Sequence, residues 1–310
     1  MSEASRRSAI DALIAERLER SAPIPHVDST ESPLTFVQQS LWLTSHLEQG
    51  TNNRPLILSL QGDLDPAVLG SAIKSVVRRH PVLGSTFPLR GTEPVQYSGN
   101  PTPTMDVRDL SEEPDPSAAA RNLADDHTSR SFDLENEVPF IPLLIRLSPT
   151  DHLLAFAMHH IVFDGWSEPL FVDELIAHYD ATLEGTDPAG LPDLKIDYAD
   201  HARWERATIT EGSFETQVQY WRDQLADLPP DLELPRDRAV TPNAIASPVH
   251  VQIPQGVMAD LEELAKRHNA TLFMVLLAAL EVLVARHAGV DDVVVGVPTP
   301  GRPRSETENL

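Results

Sequence analysis

The sequence predicts a mixed α/β (α+β) fold built as two lobes, and three observations carry that expectation. The chain has 310 residues, about twice the length of an ordinary single-core domain. Apolar runs of strand length, such as "PFIPLLIRLS" and "HLLAFAMHH", alternate with stretches of helical spacing, such as "SEPLFVDELIAHYDATLEG". No short internal repeat is present, so the elements belong to packed lobes and not to a solenoid.

Taken in order, residues 4–20 place Ile10, Leu13, Ile14 and Leu18 on one helical face. The Pro/Ser stretch "SAPIPHVDSTESP" then tethers this helix, so residues 1–29 form an N-terminal helix and linker. The first lobe is expected over residues 30–187. It opens with a loop entering a helix in "SPLTFVQQSLWLTSHLEQG", followed by a strand in "RPLILSLQG". "DPAVLGSAIKSVVRRH" is a helix with an Asp-Pro start. "VLGSTFP" and "PVQYS" form a hairpin, and "PSAAARNLADDHTSRSF" is helical. The two apolar strands named above come next, then a helix that Gly185 ends.

"TDPAGLPDL" marks the lobe boundary, which leaves residues 188–310 as a partial second lobe. Within it "DYADHARWERATITEGSFETQVQYWRDQLADL" is helical with a break near Gly212. A strand "VHVQIP", two helices (257–268 and 271–287) and a strand "DDVVVGVP" follow.

Composition removes several function classes. The chain has no cysteine, which excludes disulfides, thiolate metal sites and a cysteine nucleophile. Its formal charge of −23 argues against nucleic acid or an anionic membrane as partner, since both need clustered Lys and Arg. No apolar run reaches the roughly 20 residues of a membrane-spanning helix. The longest, "LFMVLLAALEVLVA", contains Glu281. Asp11 and Glu16 follow Arg6 and Arg7 and leave no secretory apolar region, so a cytoplasmic location is expected.

Chemistry concentrates in "HHIVFDGWS", residues 159–167. The preceding "LLAFAM" suits a strand buried on both faces, and the pattern turns helical after Gly165. The motif therefore sits in a strand-to-helix turn, with Ser167 as the expected N-cap and Gly165 allowing a sharp turn. Three readings of His159 and His160 compete. They can simply pack and hydrogen-bond. They can bind metal, although adjacent residues of a strand point to opposite faces and no further ligand lies at helical spacing. Or one imidazole faces an open channel and does acid–base work, while Asp164 orders the turn. Ser40, Ser85 and Ser167 lack a G-x-S-x-G setting and are poor nucleophiles.

"HHIVFDG" resembles the HHxxxDG signature of condensation domains of nonribosomal peptide synthetases, which are similar to chloramphenicol acetyltransferase. Further matches follow the family order: "PLTFVQQSLW" (33–42), "RRHPVLGSTF" (78–87), "IDYADHARW" (196–204) and "VVVGVPTPGRPRSETENL" (293–310). The resemblance implies a chloramphenicol-acetyltransferase-like two-lobed pseudodimer, its second lobe incomplete in this chain. It implies amide formation between a donor acyl or peptidyl thioester and an acceptor aminoacyl amine. Both substrates ride on the 4'-phosphopantetheine of donor and acceptor peptidyl carrier proteins beside an adenylation domain, and the domain itself binds no cofactor and no metal. His160 is then the residue that orients or deprotonates the amine, and His159 and Asp164 hold the turn. Gly165 N–H and the start of the following helix are candidate oxyanion donors. Trp166, Ser167 and Trp204 are candidates for lining the substrate tunnel.

The sequence departs from the family pattern in places. Val37 and Ser40 replace alanine and arginine of the opening motif, and Gly84 stands where RHxxLRTxF has its second arginine. The resemblance implies that an arginine of this region pairs with the aspartate of HHxxxDG, so either another arginine substitutes, Arg79 being the first choice ahead of Arg78, Arg286 and Arg302, or Asp164 is solvated or hydrogen-bonded. The chain ends where the family continues, so activity is expected to require residues beyond Leu310. A non-catalytic platform recruiting carriers or partner enzymes, and an ester-forming or dehydrating relative, are the alternatives. The DxxxxD variant of heterocyclisation enzymes is absent.

Overall fold

The computed structural model describes residues 22–47, 52–209, 214–229, 232, 234–235, 251–299, 301–302 and 304–310. The expected helix over 4–20 lies outside them. The chain divides into two compact units, Met1–Ser213 with Pro300–Leu310, and Phe214–Thr299. The division falls after Ser213 and not at 187/188, because the helix at Tyr198–Thr208 packs on strand Glu31–Pro33 of the first unit.

The first unit is organised by a four-stranded sheet in the order β2-β7-β6-β5. These strands are β2 (Leu56–Gln61), β5 (Asp106–Asp109), β6 (Phe140–Arg146) and β7 (Asp151–Met158). β7 pairs antiparallel with both neighbours, Leu154 standing opposite Leu58 on one side and Leu144 on the other. β5 joins β6 in parallel. A smaller sheet holds β1 (Glu31–Pro33), β4 (Glu93–Tyr97) and β3 (Leu89–Arg90), in the order β1-β4-β3. The β3/β4 hairpin turns at Gly91, whose φ of 66° lies in the left-handed region that glycine enters without steric cost.

β7 is buried on both faces, as "LLAFAM" predicts. Leu154, Phe156 and Met158 join the main core with Leu144, Ile73, Val76 and Phe171, whereas Ala155 faces a second cluster with Leu143, Ile145, Ala120 and Ala124. The period-2 alternation of strand side chains sends neighbours to opposite layers.

Helices α1 (Phe36–Leu47), α2 (Pro66–Arg79), α3 (Pro116–Thr128), α4 (Ser167–Glu184) and α5 (Tyr198–Thr208) complete this unit. Asp65 and Asp115 cap α2 and α3 by accepting first-turn N–H groups ahead of a proline, and Gly185 ends α4 at φ 66°. α2 and α4 are tied by the buried Glu174, which accepts from Arg79 Nε at 2.9 Å and pairs with His80 Nε2 at 2.7 Å.

Among the described residues, the second unit contains three helices, α6 (Glu215–Gln224), α7 (Gln255–Arg267) and α8 (Leu272–Ala288). Thr271 Oγ1 caps α8 and Gly289 ends it at φ 69°. The strand expected in "DDVVVGVP" carries no ladder, and Val294 and Val297 are exposed. Residues 251–254 of "VHVQIP" are likewise irregular, and 249–250 lie outside the described residues. A strand is held by its neighbours, and none pairs with these segments among the described residues. No single helix there is long and apolar enough to cross a membrane.

Candidate active site

The sheet delivers the motif at the C-terminal end of β7. Arg54 N–H donates to Met158 O at 2.8 Å, Asn53 pairs with His159 in an antiparallel bridge, and His160 N–H donates to Asn52 O at 2.7 Å. The two histidines then diverge.

His159 is buried and fully engaged. Its Nδ1 accepts Ile161 N–H at 3.1 Å, so Nε2 carries the proton and meets Ser45 Oγ at 2.9 Å. Ser45 in turn donates to Leu41 O. Burial, with His160 beside it, holds the His159 imidazole down to about 4, so it is neutral at physiological pH. His160 is exposed, and its imidazole makes no hydrogen bond among the described residues. It opens onto a pocket of about 320 Å³ whose walls include Val82, Asp164, Ser167, Tyr198 and Arg302.

Asp164 is the knot of the turn. Its Oδ1 accepts Trp166 N–H at 3.0 Å, Ser167 N–H at 2.8 Å and Ser167 Oγ–H at 2.7 Å. Its Oδ2 accepts Arg302 Nη1 at 2.7 Å. Burial pushes this carboxyl up, but the hydrogen bonds from Arg302 and Ser167 outweigh it and hold the group below the usual carboxylate range. Arg302 also donates to Ser167 Oγ and Leu310 O.

Several expectations are corrected here. Ser167 is the first residue of α4 and Trp166 occupies the N-cap position without a side-chain cap; Asp164 performs the capping. The amides of Trp166 and Ser167 are thereby taken, which removes both from the expected oxyanion donors. Gly165 is not among the left-handed glycines, so the turn does not require it. Arg79 does not reach Asp164: its guanidinium binds Glu174 and Pro192 O. Arg286 is exposed on α8 of the other unit. Gly84 is buried, and a Cβ there would stand 3.2 Å from Val77 Cγ1, so a side chain at that position requires Val77 to give by a few tenths of an ångström.

Trp204 is not itself a wall of the pocket: it packs with Ile24, Ile196 and the wall residue Leu310, and stacks on His201 with ring centroids 5.8 Å apart. Trp166 is exposed, donates Nε1–H to Glu308 O and lies beneath the Arg302 guanidinium. Sequence reasoning missed Gln38, whose amide ties Thr35 N–H to Ile161 O, and it missed Ser45 and Asn52 behind the histidines. Of the described His, Asp and Glu residues, His26, Asp197 and Asp200 approach metal-ligand spacing, but Asp200 is already engaged by His26, Val27 N–H and Arg203.

His201, also buried, is held down to about 4 by burial and then by Arg302. Both His159 and His201 refuse a proton that the unfolded chain accepts below about 6.5. Between about pH 6.5 and 4 the unfolded state therefore binds more protons, and stability falls as pH falls, by about 2 kcal/mol per histidine at pH 5. Urea unfolding at pH 7.5 and 5 is expected to show this loss, and His201→Phe to reduce it. An unchanged slope would contradict the neutral buried imidazole.

The chain matches the family described as "Condensation domain" over residues 28–310. It is 38% identical over 300 residues to phosphinothricin tripeptide synthetase PhsB of Streptomyces viridochromogenes, covering 94% of this chain and 25% of that protein. It is 33% identical over 296 residues to chondramide synthase cmdD of Chondromyces crocatus, covering 93% of this chain and 7% of that protein. Among solved structures, the X-domain from teicoplanin biosynthesis superposes with a TM-score of 0.76 at 28% identity, over 93% of this chain and 65% of that one. An X-domain from the same biosynthesis has also been solved in complex with OxyB. The first condensation domain of the calcium-dependent antibiotic synthetase, bound to a substrate analogue, gives 0.75 at 26% identity, over 90% and 67%. The chain thus spans a small part of these synthetases and about two-thirds of the solved domains.

Proposed function

The chain belongs to the condensation-domain family of nonribosomal peptide synthetases, and from that premise we propose that it forms an amide between two carrier-bound substrates. The donor is an acyl or peptidyl thioester and the acceptor an aminoacyl amine. Each hangs on the 4'-phosphopantetheine arm of a carrier protein, with an adenylation domain loading the acceptor. The domain itself contributes side chains and no cofactor.

The observation that supports this most is the division of labour in the histidine pair. One imidazole is buried, neutral and fixed by Ile161 N–H and Ser45, while its neighbour is exposed and unencumbered beside a pocket. An α-amino group has a pKa of about 8 and is largely protonated near neutrality. A positioned imidazole is the side chain best matched to accepting that proton as the nitrogen attacks the thioester carbon. The thiolate of the donor arm then leaves, and the lengthened chain rests on the acceptor arm. Asp164 and Arg302 keep the turn in register, which lets proximity of the two tethered reactants supply much of the rate.

The likeness to the teicoplanin X-domain supports a second reading, a platform that recruits a partner without catalysis. A transfer assay with donor-loaded and acceptor-loaded carrier proteins and the full-length protein separates the two. The amide reading expects the acceptor carrier to gain the mass of the donor acyl group less one hydrogen, while the donor arm is released as its free thiol. An ester or dehydrated product supports the related acyltransferases, and carrier binding without product supports the platform.

A further inference from the structure

We propose that Tyr198 is a further catalytic residue, whose phenolic O–H donates to the carbonyl oxygen of the donor thioester as the amine attacks; this rests on the condensation reading above. The polar side chains that line the pocket are those of His160, Asp164, Ser167, Tyr198 and Arg302. Three of them are occupied with one another. Asp164 accepts from Ser167 and Arg302, and Ser167 Oγ accepts from Arg302 in turn. Of these walls, His160 and Tyr198 are left to meet a substrate.

The phenol is held in place from several sides. Tyr198 is the first residue of α5, whose start is closed reciprocally. Asp200 N–H donates to Asp197 Oδ1 at 2.9 Å, and Asp197 N–H donates to Asp200 Oδ2 at 3.0 Å. The Tyr198 ring meets the buried His201 ring edge-on, with centroids 5.5 Å apart. Burial holds the phenol above its usual range, against the opposing pull of a hydrogen bond from the Thr35 side chain. A bond that lowers a phenol's pKa is one given to its oxygen, so Thr35 O–H donates and the Tyr198 proton is left to the pocket. Thr35 Oγ1 is itself placed by Gln38 N–H at 3.1 Å. A rigid, neutral donor of this kind suits charge that develops during a reaction. With the turn amides spent on Asp164, it fills the role that they do not.

As the amine nitrogen bonds to the thioester carbon, the C=O electron pair moves onto oxygen, where Tyr198 O–H stabilises it. His160 takes the amine proton. Collapse restores C=O, breaks the C–S bond and expels the donor thiolate, which receives the proton from His160. Tyr198 keeps its own proton throughout.

The test uses the full-length protein, loaded carriers and two donors that differ in one atom, an acyl thioester and its dithioester. A thiocarbonyl sulfur is a much poorer hydrogen-bond acceptor than a carbonyl oxygen. Tyr198→Phe keeps the ring and its contact with His201, so the urea midpoint should hold. Its kcat should fall about 10²-fold with the thioester and less than about tenfold with the dithioester. Thr35→Val keeps the phenol but removes its anchor, and should show a smaller loss, again greater with the thioester. Equal losses with both donors would make Tyr198 a packing residue, and no loss with either would make it a bystander; both results overturn the assignment. Should the unaltered protein transfer neither donor, the condensation reading fails and this inference falls with it.

Discussion

His160→Ala is expected to reduce the rate of amide formation by about 10²- to 10⁴-fold, the usual contribution of a positioned acid–base group. The loss should fall on kcat, because carrier docking and substrate entry do not depend on the imidazole. Folding should be untouched: the ring is exposed, and the bond from His160 N–H to Asn52 O survives in alanine. His159→Ala is the contrasting control. It removes a buried ring and strands Ile161 N–H and Ser45, so it should lower the unfolding midpoint as well as the rate. Undiminished product from a well-folded His160→Ala protein would remove this residue from catalysis.

Arg302→Ala is expected to cost about 3 kcal/mol of stability, because a largely buried ion pair broken from one side leaves its partner uncompensated. The Arg302 side chain is 7% exposed and Asp164 32%, so the carboxylate is left with its burial and without its counter-charge. Its pKa should rise, and activity should then fall at mildly acidic pH where wild type still works. Arg302→Lys should recover only part of the stability, since an ammonium cannot span both carboxylate oxygens. Urea unfolding of Arg302→Ala, Asp164→Ala and the double variant gives the coupling directly. Additive losses would show that the pair does not act as a unit.

Legibility from sequence follows the range of the interaction. Local signals read correctly: the Asp-Pro start of α2, the glycine stop after α4, and apolar runs for β6 and β7. β5 escapes because "DVRD" is exposed throughout and is a strand only through parallel pairing with β6. "DDVVVGVP" errs the other way, with strand composition but no ladder among the described residues. The motif announces itself, yet its internal wiring does not. Capping by Asp164 in place of Ser167 depends on which acceptor reaches the first-turn amides. Arg79 is the nearer of the two along the chain, but that proximity says nothing about Glu174 on the facing helix. The true partner, Arg302, can be ranked only once the chain's return to the first unit is known.

That return has a consequence for synthesis. Asp164 and Arg302 are separated by 138 residues, and at about 5–20 residues per second a ribosome needs roughly 7–28 s to travel from one to the other. Throughout that interval the nascent turn lacks its cation and the histidine loop lacks its final anchor. The turn beside His160 thus gains its counter-charge last, after the sheet beneath it has been made.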